Sequence, residues 1–239
     1  MRLKKVSQIV ALDPDIRVAD FERELNAEGL TGGYLPAAGV NTRLSDCLAR
    51  RVPNLFFMKY GGIENLCVGG TVITPGGREF VIKTAPRAAV GPDFRRIAIG
   101  SDGRLGKFKE VALRVFPSAE AELWGIILLE RVSKALEGLR RMLGCQILPL
   151  FGRFLEDDEA AGLLRSLNLQ ESDKTIFAFK LSGPKSMVEA EKEAVTRIFE
   201  EQRGLSYWPS KEAEKEILDE TLINAEGFSA FIARAGALV

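Results

Sequence analysis

The hydrophobic period changes along the chain, and each change marks an element. Gln8-Ile9-Val10-Ala11-Leu12 is a short apolar run halted by Asp13-Pro14-Asp15, which predicts a strand and its end. Val18, Phe21 and Leu25 then recur at helical spacing, with Glu22, Arg23 and Glu24 on the other face and Gly29 as a C-terminal cap. Residues 31–53 read as mixed loop and short helix carrying Arg43, Asp46, Arg50 and Arg51. Apolar runs at 65–73 and 79–83 flank Thr74-Pro75-Gly76-Gly77, the composition of a type II turn, and predict a hairpin. A helix-like segment at 93–99 enters Gly100-Ser101-Asp102-Gly103-Arg104-Leu105-Gly106, and a strand at 111–116 leaves it.

After Pro117 strands alternate with amphipathic helices. Strands are expected at 122–129, 146–154 and 175–180, the second with Pro149 near an edge or bulge. Val132, Ala135, Leu136, Leu139 and Leu143 define a helix stopped by Gly144. A helix at 156–167 has acidic residues in its first turn, where the helix dipole favours them. Another at 184–203 begins on Pro184 and is followed by Gly204; residues 211–239 read as helical and then irregular. The class predicted is α+β, with domains at 1–117 and 118–239 and a ferredoxin-like layer in the second.

Composition narrows the function classes. The 33 basic and 33 acidic side chains cancel, so no global field draws the chain to nucleic acid or an anionic membrane. No apolar run reaches the ~20 residues of a membrane span, and the N-terminus lacks a signal-peptide core, so a cytoplasmic protein is expected. Cys47, Cys67 and Cys145 match no zinc or CxxC spacing and are expected as buried thiols. Histidine is absent, which excludes Ser-His-Asp and Cys-His machinery and any His-ligated metal within this sequence.

The glycine-rich loop allows two readings by itself. It is a tight helix-to-strand connection, or a cradle whose N–H groups point at a planar or phosphorylated ligand. Glu156-Asp157-Asp158-Glu159 is read as a solvated helix N-terminus rather than a metal cluster, and Tyr207, Trp208 and Arg153 as packing residues rather than pocket walls.

The order of motifs then resembles a known family. A strand ending Ile9-Val10-Ala11-Leu12-Asp13-Pro14 precedes a helix closing on Ala27-Glu28-Gly29-Leu30. Lys59-Tyr60-Gly61-Gly62, Thr74-Pro75-Gly76-Gly77, Gly91-Pro92-Asp93-Phe94 and Ile99-Gly100-Ser101-Asp102-Gly103-Arg104-Leu105-Gly106 follow. In sequence this resembles the FAD-linked oxidases, the vanillyl-alcohol-oxidase or PCMH-type flavoproteins that include glycolate and D-lactate dehydrogenases and alkyldihydroxyacetone-phosphate synthase. The resemblance implies a second FAD-binding subdomain of PCMH type over 1–117 and a ferredoxin-like cap over 118–239. It implies FAD as cofactor, and Tyr60, Gly61, Asp93, Gly100, Ser101, Gly103, Leu105 and Gly106 as the residues facing it. It supplies no catalytic residue and no metal site.

Two departures accompany the match. Relatives carry a preceding subdomain with a diphosphate-cradling loop, which this sequence does not include. Their second diphosphate loop reads Thr-Ile-Gly-Gly-x-Leu-Ala, where this chain has Arg43-Leu44-Ser45-Asp46-Cys47-Leu48-Ala49. Ser45 and Asp46 replace both glycines, and a carboxylate beside a phosphate costs on the order of 1 kcal/mol even when well screened. The expectation is an accessory or incomplete subunit of an FAD-linked, 2-hydroxy-acid-dehydrogenase-like oxidoreductase. A partner chain, or a homo-oligomer, would complete it. The alternatives are a binding or scaffolding module that has lost flavin and a self-sufficient FAD enzyme.

Overall fold

The computed structural model describes residues 1–85, 93–167, 169 and 174–209. Gly91-Pro92 and the helix expected within 211–239 lie outside the described residues. The chain divides into two compact units, Met1–Ser118 and Ala119–Val239. Among the described residues no helix is long and apolar enough to cross a membrane.

The first unit is built on a five-stranded antiparallel sheet. Its elements run β1 (Arg2–Lys4), β2 (Ile9–Leu12), α1 (Val18–Asn26), β3 (Leu30–Thr31), α2 (Leu44–Arg50), α3 (Phe57–Tyr60), α4 (Ile63–Leu66), β4 (Cys67–Ile73), β5 (Glu79–Ile82), α5 (Phe94–Ala98), β6 (Lys107–Arg114) and β7 (Phe116–Pro117). The sheet order is β1-β2-β6-β4-β5, and β3 pairs with β7 separately. Val10 lies opposite Leu113 and Leu12 opposite Val111, which places four apolar side chains on one face. Val18, Phe21 and Leu25 of α1, Leu44, Cys47 and Leu48 of α2, and Ile63 and Leu66 of α4 close over them as one core. The i, i+3, i+7 spacing of α1 thus finds its buried partner.

The hairpin between β4 and β5 forms as expected, but its turn differs. Gly77, not Gly76, takes positive φ (+76°), and the Gly77 N–H donates to the Thr74 carbonyl at 2.9 Å. The geometry is a type I turn followed by a glycine bulge, and the Thr74 N–H then closes the loop on the Arg78 carbonyl. Type I with a bulge matches strand twist, whereas type II splays the strands.

The second unit runs β8 (Ala121–Leu129), α6 (Val132–Gly144), β9 (Phe151–Leu155), α7 (Asp157–Ser166), β10 (Thr175–Gly183), α8 (Lys185–Glu200) and β11 (Leu205–Tyr207). Its sheet order is β11-β8-β10-β9, antiparallel throughout. That is the ferredoxin-like βαββαβ order, with α7 inserted between the second and third strands. Ile127, Phe177, Phe179 and Leu181 face Ala135 and Met142 of α6 and Val188, Val195 and Phe199 of α8.

Three local expectations change in this unit. Residues 146–150 are not strand: Gln146 has φ +61°, Pro149 has no N–H to give a ladder, and pairing begins at Phe151. Past α8 the left-handed residue is Arg203 (φ +58°), while Gly204 packs against Ile127, where a β-carbon would stand 3.0 Å from its methyl. Cys145 is exposed, because it sits at the outward C-terminal cap of α6; Cys47 and Cys67 are buried as expected.

Candidate functional site: the glycine loop and its cleft

The glycine loop joins α5 to β6 and borders a cleft of about 340 Å³ in the first unit. Gly103, Gly106 and Asp102 form one wall; Ser45 and Asp46 at the start of α2, with Asp13-Pro14-Asp15 after β2, form the other. Leu48, Ala98 and Phe108 give it an apolar floor. Ser45 and Asp46 therefore stand in the same cleft as the glycine loop, an association the sequence alone left open.

The loop's N–H groups are not aimed at the cleft alone. The Gly100 N–H donates to the Leu48 carbonyl and the Asp102 N–H to the Ala49 carbonyl, both at 2.9 Å, so the loop satisfies the C-terminal carbonyls of α2. The Ser101 N–H (3.3 Å) and hydroxyl (2.8 Å) both donate to the Ala98 carbonyl, and the Arg104 N–H donates to the Ser101 carbonyl. Gly106 sits at φ +148° with a position for a β-carbon only 2.5 Å from a Val72 methyl, so close packing on β4 requires glycine there. Leu105 projects outward, 58% exposed.

The remaining candidate residues lie apart from that cleft. Asp93 caps α5: its carboxylate accepts from the Arg95 N–H and from the Arg95 guanidinium at 2.8 and 2.9 Å. Arg95 also donates to the carbonyls of Cys67 and Ala85, so Asp93 is part of an internal clamp. Tyr60 ends α3, its ring tilted on Phe116 at 4.6 Å and lying over Gly33. Gly61 takes φ +80° and offers its carbonyl to Asn54 at 2.7 Å.

The Arg95 side-chain hydrogen bonds hold the Asp93 carboxyl below its ordinary value near 3.8. A depressed folded-state pKa adds stability that is present above the unfolded value and is lost as pH falls through the folded one. Stability is therefore expected to drop below about pH 4 by a component that Asp93→Asn abolishes, measured by urea unfolding across pH 2–6.

The cleft's charge is acidic. Asp13, Asp15, Asp46 and Asp102 line it, opposed by Lys107. Arg43 pairs with Asp15 at 2.7 Å and Arg50 approaches Asp46 at 3.9 Å, so these arginines neutralise side chains already present. The first N–H groups of α2 are also taken: Leu44 donates to the Ile16 carbonyl and Ser45 to the Pro14 carbonyl, each at 2.8 Å. The helix start that would face a diphosphate offers it no donor at these two positions. The role of Asp13 and Asp15 was missed in sequence, where Asp-Pro-Asp signalled only the end of a strand.

The second unit has a wider cleft of about 760 Å³ near the start of α7, lined by Glu130, Asp157 and Asp158 and by Arg131, Arg165 and Lys174. Among the described residues no group of acidic, cysteine or histidine side chains is placed to hold a metal. Arg153 pairs with Glu159 at 3.1 Å, and Trp208 stands edge-on to Phe179 beneath Lys192. Tyr207 lies in β11 opposite Ile126.

No family model matches the chain. It is 29% identical over 139 residues to alkyldihydroxyacetonephosphate synthase of Caenorhabditis elegans, covering 58% of this chain and 23% of that protein. An FAD-linked oxidoreductase of Escherichia coli O157:H7, YgcU, is 26% identical over 179 residues (74% and 36%). The glycolate oxidase subunit GlcD of Bacillus subtilis is 22% identical over 209 residues (82% and 44%). The chain thus spans less than half the length of these relatives. Among solved structures, alkyldihydroxyacetonephosphate synthase superposes with a TM-score of 0.75 at 18% identity, covering 93% of this chain and 44% of that one. A second structure of that synthase covers 95% and 46% at the same TM-score, so the mixed α+β fold is common to both. On these similarities and the ordered motifs around the glycine loop, the chain is similar in sequence to FAD-linked oxidoreductases and shares the PCMH-type fold of alkyldihydroxyacetonephosphate synthase.

Proposed function

We propose that this chain carries the isoalloxazine-side loop and the cap of an FAD-linked oxidoreductase of the 2-hydroxy-acid-dehydrogenase-like kind, and that further polypeptide supplies the diphosphate-binding part. One observation carries this reading: the α2 start keeps its place beside the glycine loop, but Leu44 and Ser45 give their N–H groups to Ile16 and Pro14. A diphosphate there meets the carboxylates of Asp15 and Asp46 instead of free donors. Exposed Ile97 and Leu105 beside the loop fit a surface covered by other polypeptide. A cytoplasmic partner chain, or a larger polypeptide, is part of this proposal, and FAD is its cofactor, reached by Gly103, Leu105 and Gly106. Asp93, Gly100, Ser101, Tyr60 and Gly61 then shape the site through the backbone.

The test is an FAD titration followed by flavin fluorescence. The chain alone is expected to bind FAD with a Kd above about 100 μM, and Ser45→Gly/Asp46→Gly to bind at least tenfold more tightly, about 1.4 kcal/mol. Stoichiometric FAD binding by the unaltered chain sinks the need for further polypeptide. An unchanged affinity in the double variant removes α2 from the diphosphate site. A second reading, a binding module that has abandoned flavin, is favoured by the same side chains in the cleft. Its mark is that no added flavoprotein fragment of a relative raises FAD affinity.

A further inference from the structure

Among the described residues the strand β5 ends the first unit's sheet and is bonded on one side only, to β4. Which of its groups face outward follows from the turn. Thr74 donates its N–H to the Arg78 carbonyl, so that pair is a bonded one. Bonded and non-bonded pairs alternate along an antiparallel ladder. Phe80 opposite Val72 and Ile82 opposite Gly70 are therefore the next bonded pairs. The N–H and C=O groups of Glu79 and Val81, and of Lys83 just past the strand, are turned to the free edge.

Natural edges are usually blunted by charged side chains, a proline or a bulge, and charges of both signs can instead pair with a matching edge. This one presents Glu-x-Val-x-Lys, with its centre, Val81, 72% exposed. On the opposite face Phe80 is 42% exposed and meets Phe94 of α5 at a ring distance of 4.9 Å. We propose that β5 pairs antiparallel with β5 of a second copy, across a two-fold axis through Val81, joining two five-stranded sheets into one.

The register is fixed by charge and by hydrogen bonding together. With Val81 opposite its own mate, Glu79 falls opposite Lys83 of the second copy, twice by symmetry. The same register pairs all three outward residues with outward residues, so each contributes both backbone groups to the new ladder. Phe80 then lies opposite Ile82 of the second copy on the Phe94 side, an aromatic–aliphatic cross-strand pair. A slip by one residue pairs outward with inward groups and loses the ladder. A slip by two puts Val81 opposite a charge. Within its own sheet Glu79 reaches across β4 to Lys109 of β6 at 2.5 Å, so Lys83 of the second copy shares this carboxylate with Lys109.

Sedimentation equilibrium of the full chain from about 1 to 100 μM tests the pairing. The expected result is a concentration-dependent shift from 26.3 kDa to twice that mass. Val81→Lys sets like charges against each other on the axis and is expected to leave a monomer with unchanged thermal midpoint, since the side chain is exposed. Lys83→Glu is expected to weaken association at least tenfold, and Glu79→Lys/Lys83→Glu to restore it. A wild-type chain that stays monomeric at 100 μM overturns the proposal and leaves the edge to a different chain. A dimer that Val81→Lys does not weaken overturns it too, by placing the interface elsewhere. A charge-swapped variant as weak as Lys83→Glu overturns the register.

Discussion

Replacing Asn54 by alanine is expected to destabilise the first unit by about 4 kcal/mol. Asn54 is buried, 5% exposed, and its amide is fully used. Its oxygen accepts the N–H groups of Leu35 at 2.9 Å and Phe56 at 3.0 Å. Its nitrogen donates to the carbonyls of Gly33 at 2.9 Å and Gly61 at 2.7 Å. The segments at 33–35, 54–56 and 61 are thereby tied to one another through a single side chain. The substitution leaves four backbone groups unpaired, and each such bond is worth roughly 1 kcal/mol. Urea unfolding followed by far-UV circular dichroism measures the total. Hydrogen exchange gives the local signature, since the Leu35 and Phe56 amides should lose protection first. Asn54→Asp is the sharper control. Its carboxylate accepts only, so it faces the Gly33 and Gly61 carbonyls with no proton to give. It is expected to be least destabilised at acid pH, where a neutral carboxyl can donate to one of them. An Asn54→Ala variant within 1 kcal/mol of the parent would show that water replaces the amide at this position.

The same hub shows what sequence does and does not reveal. Asn54 has no local signature, because its partners at 33, 35 and 61 are distant along the chain, and a lone asparagine in a loop reads as a turn residue. The α1 stripe was legible, since Val18, Phe21 and Leu25 bury themselves as their spacing requires. The alternation after Pro117 likewise gave the ferredoxin-like order. Strands β1, β3, β7 and β11 have two or three residues each, too few for a period to register. At Pro75-Gly76-Gly77 the hairpin was legible and the turn type was not, because two adjacent glycines can each supply the left-handed residue and strand twist decides between them. The glycine loop shows the same limit. Its place in the fold was legible from motif order. That Gly100 and Asp102 cap the C-terminus of α2 was not, because it depends on where α2 ends in space.

Phe199→Ala in the second unit is expected to cost about 4 kcal/mol, and Gly138 makes the site's packing testable in both directions. Phe199 is fully buried on α8 and its ring lies 5.8 Å from that of Phe177. Gly138 of α6 lies directly beneath it: a β-carbon there would stand 2.1 Å from the ring edge and 2.6 Å from its tip. In an ordinary helix interior, glycine to alanine gains about 1 kcal/mol. Here the new methyl collides with a ring that Phe177 and Ile127 hold in place, and overpacking of this kind costs roughly 1–3 kcal/mol. Overpacking should outweigh propensity, so Gly138→Ala alone is expected to destabilise by about 1–2 kcal/mol. In the Phe199→Ala background the sign should reverse. The methyl then enters the space the ring has left and the helix keeps its gain, so the double variant should be more stable than Phe199→Ala alone by about 1 kcal/mol. Trp124 and Trp208 both belong to this unit and supply a fluorescence readout of its unfolding. Additive effects across the four proteins would mean that α6 and α8 separate to admit the methyl, and that the glycine is not what sets their approach.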